Sequence, residues 1–263
     1  MNKEVKMNSA ENQDFSLAPA AGTSESFTGA ALVIGAGGGL GAALVANLSG
    51  AAGGPPSYPA VLALSRSSLP AMDYSDENSV KAAADWMAAQ CASRQLELRL
   101  LVVASGFLHG PQGQPERSFS QLDAGYLAHV FQVNAIGPAL VMKHFLPLLP
   151  KQGRCLAAFV SARVGSIGDN ALGGWYGYRA SKAALNQLVK TASVEMTRRN
   201  RQSVCVALHP GTVDTALSQP FAKSGLKVRP ASEAASDLLA VLHGLTPGDT
   251  GCLLDYKGLR LPF

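Results

Sequence analysis

The chain has 263 residues, enough for one large α/β domain with a substantial core, and a formal net charge of +4. Hydrophobic residues make up 47% and charged residues 15%, a globular composition rather than a disordered one. The only dense basic cluster, Arg198-Arg199-Asn200-Arg201, reads as a helix end that complements its dipole, so no nucleic-acid partner is expected.

Residues 1–28 mix Lys3, Glu4, Lys6, Glu11, Asp14 and Glu25 with Ser, Asn and Ala. They contain no apolar stretch of signal-peptide type and no Arg, so they are read as a flexible N-terminal tail ahead of a single domain at 29–263. No apolar run reaches transmembrane length, and no membrane partner is expected.

From residue 30 the pattern alternates strand and helix. An apolar run at 30–34 predicts a buried strand, and the alanine-rich stretch 40–48 a helix. A second strand at 60–64 ends at Ser65-Arg66. The stretch 67–71 is too short for the helix and strand that could separate it from Met72-Asp73. A helix follows at 77–91, with Ser75 or Asp76 near its cap, then a strand at 98–104. Residues 108–117 form a Gly- and Pro-containing loop. One long helix is expected at 122–149, kinked at Pro138 and Pro147. A strand at 156–160, a helix at 178–198, a strand at 204–208, a helix at 231–245 and a strand at 252–255 complete the chain. Repeated βα units with near-continuous apolar strands imply a Rossmann-type, doubly wound parallel sheet with helices on both faces. Ligands bind such sheets at the carboxyl ends of the strands.

Cys91, Cys155, Cys205 and Cys252 form no Cys-x-x-Cys and join no His pair, so no metal site is expected. Cys155, Cys205 and Cys252 lie in or beside apolar strand runs and read as buried free thiols, in a reducing, cytoplasmic compartment.

Two clusters carry chemistry. The first is Gly35-Ala36-Gly37-Gly38-Gly39-Leu40-Gly41, between the first strand and the first helix. Gly35 suits a tight turn, and Gly37, Gly38, Gly39, Leu40 and Gly41 lead into a helix N-terminus able to receive a pyrophosphate. Ser65 and Arg66 close the second strand, where an acid would select a ribose 2′-hydroxyl and an Arg suits a 2′-phosphate. NADP(H) is therefore favoured over NAD(H). Asp73 is positioned to accept from the adenine amine, or serves as a turn acid ahead of the helix. The second cluster is Tyr178-Arg179-Ala180-Ser181-Lys182. Tyr178 and Lys182 stand at i and i+4, on one helix face. An ammonium beside a phenol lowers the phenol's pKa, which would make Tyr178 a usable acid/base. Tyr176 has no lysine four residues on. It and Trp175 are candidates for the pocket wall, while His109 and His209 read as loop residues.

Together these motifs resemble the short-chain dehydrogenase/reductase family over nearly everything after residue 28. The glycine turn is similar to Thr-Gly-x-x-x-Gly-x-Gly, with Ile34 in place of the threonine, and Tyr178 and Lys182 fit Tyr-x-x-x-Lys. Arg163-Val164-Gly165-Ser166-Ile167 and the helix after Tyr178 look most like the C-factor/sniffer-type carbonyl reductases. The resemblance implies hydride transfer between NADP(H) and a small carbonyl or alcohol, with Tyr178 moving the proton and Lys182 holding the nicotinamide ribose. It makes Asn134 a relay residue that holds a water beside Lys182. It places Ala104, Ser105 and Gly106, in the position of Asn-Asn-Ala-Gly, at the adenosine pocket. Pro210, Gly211, Val213 and Thr215 would cover the nicotinamide. The 107–115 and 216–229 segments would contact substrate, the latter as a lid broken at Pro220 and Gly225. A homodimer or homotetramer through the two long helices is implied. Strict alignment puts Ala162 where the family has its catalytic serine. Ser161 is the first candidate to supply that hydroxyl, if the strand end is shifted, and Ser166 the second; an unshifted Ser161 points away. The competing reading is a nucleotide-binding sensor or scaffold with weakened catalysis.

Overall fold

Runs of Ala, Val, Leu and Ile form strands here because both faces of the sheet they enter are covered. The computed structural model describes residues 28–53, 58–221 and 228–263. The tail at 1–27 and the 222–227 part of the expected lid, with Gly225, lie outside the described residues.

The main sheet contains β1 (Ala30–Ile34), β2 (Ala60–Leu64), β3 (Leu98–Val103), β4 (Cys155–Val160) and β5 (Ser203–His209). A two-stranded parallel ladder follows, of β6 (Thr212–Val213) and β7 (Val228–Arg229). The chain returns to the main sheet with β8 (Leu253–Asp255) and β9 (Arg260–Leu261). The strand order is β2-β1-β3-β4-β5-β8-β9, parallel throughout except for β9, which runs antiparallel to β8. The shortened stretch after β2 builds no strand, so β2 is the sheet edge.

Helices are α1 (Gly39–Leu48), α2 (Glu77–Arg94), α3 (Ala124–Phe131), α4 (Gly137–Phe145), α5 (Tyr176–Arg199) and α6 (Ala231–Gly244). Successive strand residues point to opposite faces. Ala31 and Val33 of β1 therefore join a core with Leu44 and Leu48 of α1 and Leu238 and Leu242 of α6. Leu32 and Ile34 join the other core, with Met87 of α2, Phe145 of α4 and Val189 of α5. Each buried Val, Leu, Ile, Phe or Met side chain among them contributes about 1.5–3 kcal/mol relative to exposure. Asp76 caps α2 by accepting from Asn78 N at 3.0 Å.

The expected single helix at 122–149 is instead segmented. Asp123 caps α3 by accepting from Tyr126 N, a π-helical turn spans Gln132–Ile136, α4 follows, and a 3₁₀ turn at Leu146–Leu148 ends the run. Pro138 has no N–H to donate to the Asn134 carbonyl, so the α-helical ladder cannot pass this point unchanged. The π turn buries Asn134 completely, at 0% exposure. The Arg198–Arg201 cluster is partly structural, because Arg199 donates to the carbonyls of Leu146, Pro147 and Leu149. The helix at 178–198 starts earlier than expected, at Tyr176, which places Tyr178 in its first turn.

Candidate active site

The glycine turn is held by close backbone approaches. Gly35 has φ +88°, and a Cβ there would meet Ser105 N at 2.6 Å. A Cβ on Gly41 would lie 2.2 Å from the Gly35 carbonyl oxygen. Gly37, Gly38 and Gly39 are exposed, whereas Leu40 anchors the turn in the core. The α1 N-cap is Gly38, without a side-chain cap, and the first turn carries no acid. An uncapped helix start with exposed glycines fits the pyrophosphate of a dinucleotide. Thr215 borders this turn, with its Cγ2 only 3.0 Å from the position of a Gly39 Cβ. Thr215 N donates to Ser218 Oγ. Gly211, at φ +77°, lets the chain pass the Tyr256 ring, and Val213 is buried.

At the end of β2 the chain folds into a hydroxyl-rich turn. Ser68 Oγ accepts from Ser65 N at 2.8 Å, and Ser67 N donates to Ser65 Oγ at 3.2 Å. Ser65 also faces the glycine turn, since a Cβ on Gly37 would lie 3.5 Å from Ser65 Cβ. Arg66 is exposed at the tip of this turn. The Ser65 hydroxyl stands beside the glycine turn and Arg66 follows it in the chain, residue types suited to a phosphate monoester. Asp73 Oδ1 accepts from both Ser75 N and Ser75 Oγ, and these bonds hold its carboxyl below the usual range. Asp73 thus acts in the turn ahead of α2.

The Ala104-Ser105-Gly106 segment leaves β3 beside this turn. Ala104 N donates to Ile34 O, and Ser105 Oγ shares a 2.7 Å hydrogen bond with the Tyr74 hydroxyl. Gly106 lies beside the second cluster. A Cβ on it would lie 3.7 Å from both Asn134 Oδ1 and Lys182 Nζ.

Tyr178 and Lys182 are both buried, at 8% and 2% exposure. Lys182 Nζ donates to the Val160 carbonyl at 2.9 Å and lies 5.8 Å from the centre of the Tyr178 ring. The local expectation about their acidities requires correction. Burial pushes the Tyr178 phenol up rather than down, with Tyr126 adding to the effect, and burial pushes the Lys182 ammonium down to about 8. The cost of removing charge from water exceeds the field of the neighbouring ammonium. Tyr178 is thereby held as a phenol, a proton donor, across neutral pH.

Asn134 is fully engaged with its surroundings. Its Oδ1 accepts from Phe107 N, and its Nδ2 donates to Phe107 O and Ser181 Oγ. Its side chain ties the loop after β3 to α5. Ser161 departs from the expectation. Its hydroxyl donates to Asn186 Oδ1 at 2.7 Å, so it is turned into the β4–α5 packing. The strand end is not shifted, and the alternation of sides brings Ala162 instead against Tyr178 and Leu108. Ser166, the second candidate, is buried and accepts from Asp169 N.

Other residues here were not singled out by motif. Leu217 and Phe221 pack with Trp175 on the cluster containing Tyr178. Trp175 meets Tyr178 and Phe221 edge-on, with ring centres 6.1 and 5.1 Å apart. His109 contacts Phe221 and hydrogen-bonds the Ala216 carbonyl at 3.0 Å. Glu116, 2% exposed, reaches the start of α5. Only the apolar character of 216–221 and the two aromatics of Trp175-Tyr176 hinted at such a wall, and no spacing in the sequence marks Glu116.

Comparison with known proteins identifies the family and the fold. A model of the family described as "short chain dehydrogenase" matches residues 63–225. C-signal of Myxococcus xanthus is 36% identical over 146 residues, covering 56% of this chain and 84% of that protein. The NADPH-bound carbonyl reductase from chicken fatty liver superposes with TM-score 0.75 at 26% identity, covering 91% of this chain and 96% of its own. The carbonyl reductase Sniffer of D. melanogaster shares the fold, with TM-score 0.74 at 22% identity over 90% of this chain and 100% of its own.

Proposed function

This chain belongs to the short chain dehydrogenase family and is an oxidoreductase of it, and from that premise we propose that it interconverts a carbonyl and an alcohol with NADP(H). The observation that carries this reading is the segment Ala104–Gly106, which packs against Gly35 of the glycine turn at Ala104 and Ser105 and lies beside Asn134 and the buried Lys182 at Gly106. When bound, the nicotinamide supplies or accepts the hydride. The glycines at 35, 37, 38, 39 and 41 and the α1 start would hold the pyrophosphate, and Arg66 with Ser65 and Ser67 the 2′-phosphate. Ala104, Ser105 and Gly106 would flank the adenosine half, and Pro210, Gly211, Val213 and Thr215 the nicotinamide half. Lys182 would bond the nicotinamide ribose. Tyr178 gives its proton to the carbonyl oxygen in reduction and recovers one in the reverse direction.

Leu108, Ala162, Val164, Trp175, Leu217 and Phe221 pack in an apolar cluster with Tyr178 and would line the substrate side of the site. That lining supports a hydrophobic, aromatic-bearing carbonyl as substrate. The sensor or scaffold reading draws on Ala162, because losing one hydrogen-bond donor to the reacting oxygen costs about 10²–10³ in rate. The cysteines, which are free among the described residues, support a cytoplasmic location. No helix among the described residues is long and apolar enough to cross a membrane.

A panel of aryl ketones and aldehydes with NADPH or NADH tests the proposal. Turnover is expected with NADPH and is lost in Tyr178→Phe. Arg66→Ala raises KM for NADPH about 10-fold or more and leaves NADH little changed. Tight NADPH binding with no turnover of any carbonyl would favour the sensor reading, and equal effects of Arg66→Ala on the two cofactors would sink the phosphate assignment.

A further inference from the structure

We infer that Glu116 is a positioning residue: its buried carboxylate acts as a remote cap on α5 and sets the placement of Tyr178. This rests on the reading of Tyr178 as the proton-transfer residue. The start of α5 has no cap of its own. Its N-cap residue, Trp175, is left-handed at φ 53° and offers an indole, which cannot accept a backbone hydrogen bond. The first-turn N–H groups of a helix need an acceptor from elsewhere. Glu116 supplies it from 61 positions upstream. Both carboxylate oxygens accept from Gly177 N, at 3.2 and 3.1 Å, and its backbone carbonyl accepts from Trp175 N at 2.5 Å.

The surroundings of Glu116 point to this role. It is only 2% exposed, yet no Lys, Arg or His among the described residues lies within ion-pair distance of it. Burying a carboxylate without a cation is costly, and the partial positive charge at the α5 start is what offsets it. The fit is close on the other side as well. A Cβ on residue 177 would lie 3.1 Å from Glu116 Oε1 and 3.0 Å from Leu127 Cδ2, so a side chain there would crowd the carboxylate by a few tenths of an ångström. Tyr178 is the next residue in the chain. The same connecting segment also carries Phe107, which holds Asn134, and Leu108 and His109 of the pocket wall. Glu116 therefore joins the substrate side of the pocket to the turn that bears the proton donor.

Three variants test this: Glu116→Ala, Glu116→Gln and Glu116→Asp. Gln keeps a carbonyl oxygen within reach of Gly177 N, whereas Asp keeps the charge and withdraws it by one methylene. The expected result is that Glu116→Ala and Glu116→Asp lower kcat by about 10- to 100-fold, as a small misplacement of a reacting group does. KM for NADPH stays within about 2-fold of wild type, and Gln restores most of kcat. Hydrogen exchange of 176–179 should be faster in Ala and Asp than in wild type and Gln. If Ala does not fold, the contrast between Gln and Asp decides. Unchanged kcat and exchange in Ala or Asp would overturn the proposal, as would Gln and Asp losing activity equally alongside a general loss of stability. If the wild type turns over no carbonyl, the proposed function fails. The exchange measurement then decides the capping role, and the proposal falls if 176–179 exchange alike in all variants.

Discussion

Ser161 and Ala162 differ by one position, and that position decides which of them touches Tyr178. At the end of β4 the alternation of sides sends the Ser161 hydroxyl to Asn186 and the Ala162 methyl into the pocket. The direction was legible from strand geometry, because an unshifted strand end already implied it. Restoring a hydroxyl at the pocket side should help. Ala162→Ser is expected to raise kcat for carbonyl reduction about 10-fold, less than the 10²–10³ an optimally placed donor is worth. Steady-state kinetics on the best substrate of the panel measures it, and a serine variant no faster than wild type would rule out a missing donor as the limit. Lys182 has a consequence for stability. Its folded pKa, about 8, lies below the ordinary lysine value, so between these two the unfolded chain binds more protons. The burial penalty is complete below pH 8 and is relieved as pH rises from about 8 toward 10.4, by at most on the order of 3 kcal/mol. Urea unfolding of wild type and Lys182→Met at several pH values should show their difference moving in favour of wild type over this window. A pH-independent difference would contradict it. The sequence could not supply this, since spacing shows that an ammonium is near a phenol but not how little water reaches either.

At the scale of elements, most of the strands and helices were legible from apolar runs. The runs of β1, β3, β4 and β5 are buried on both faces, so they were continuous and easily bounded. The stretch at 122–149 was harder. Pro138 signalled a disturbance, yet whether the chain answers a missing N–H with a kink or a π-helical turn depends on what packs beside it. Here a Cβ on Gly137 would lie 2.1 Å from the Tyr74 ring, so α4 and the loop before α2 meet at a glycine with no room to spare. The resulting turn aims Asn134 at Phe107 and Ser181 rather than at solvent. The start of α5 was misjudged by two residues for a related reason. Its cap comes from Glu116 in another loop, and a remote cap leaves no local signature.

For the molecule as a whole, the groove between α4 and α5 bears on assembly. It has a volume of about 410 Å³ and is lined by Met142, Leu146, Leu188, Ala192 and Met196, with none of the proposed site residues. Lys143, Thr191, Glu195, Arg199, Asn200 and Ser203 also line it. We propose that these two helices form the interface of a homodimer or homotetramer. Light scattering should give a mass of two or four 27.2 kDa chains, and Leu188→Asp should reduce it to one. A wild-type mass equal to one chain would refute the interface. The reaction class, the doubly wound sheet and the choice of a phosphate-bearing cofactor were all drawn from short stretches of chain. In each of them the chemistry is local: glycines before a helix, an arginine after a strand, a tyrosine one turn from a lysine. Folding decided what depends on residues far apart in sequence. It joined Asn134 to Phe107 and Ser181, raised the phenol and lowered the ammonium by burial, and set Glu116 on the helix that carries Tyr178. Burial and hydrogen-bond partnership are properties of the packed chain, and no window of sequence contains them.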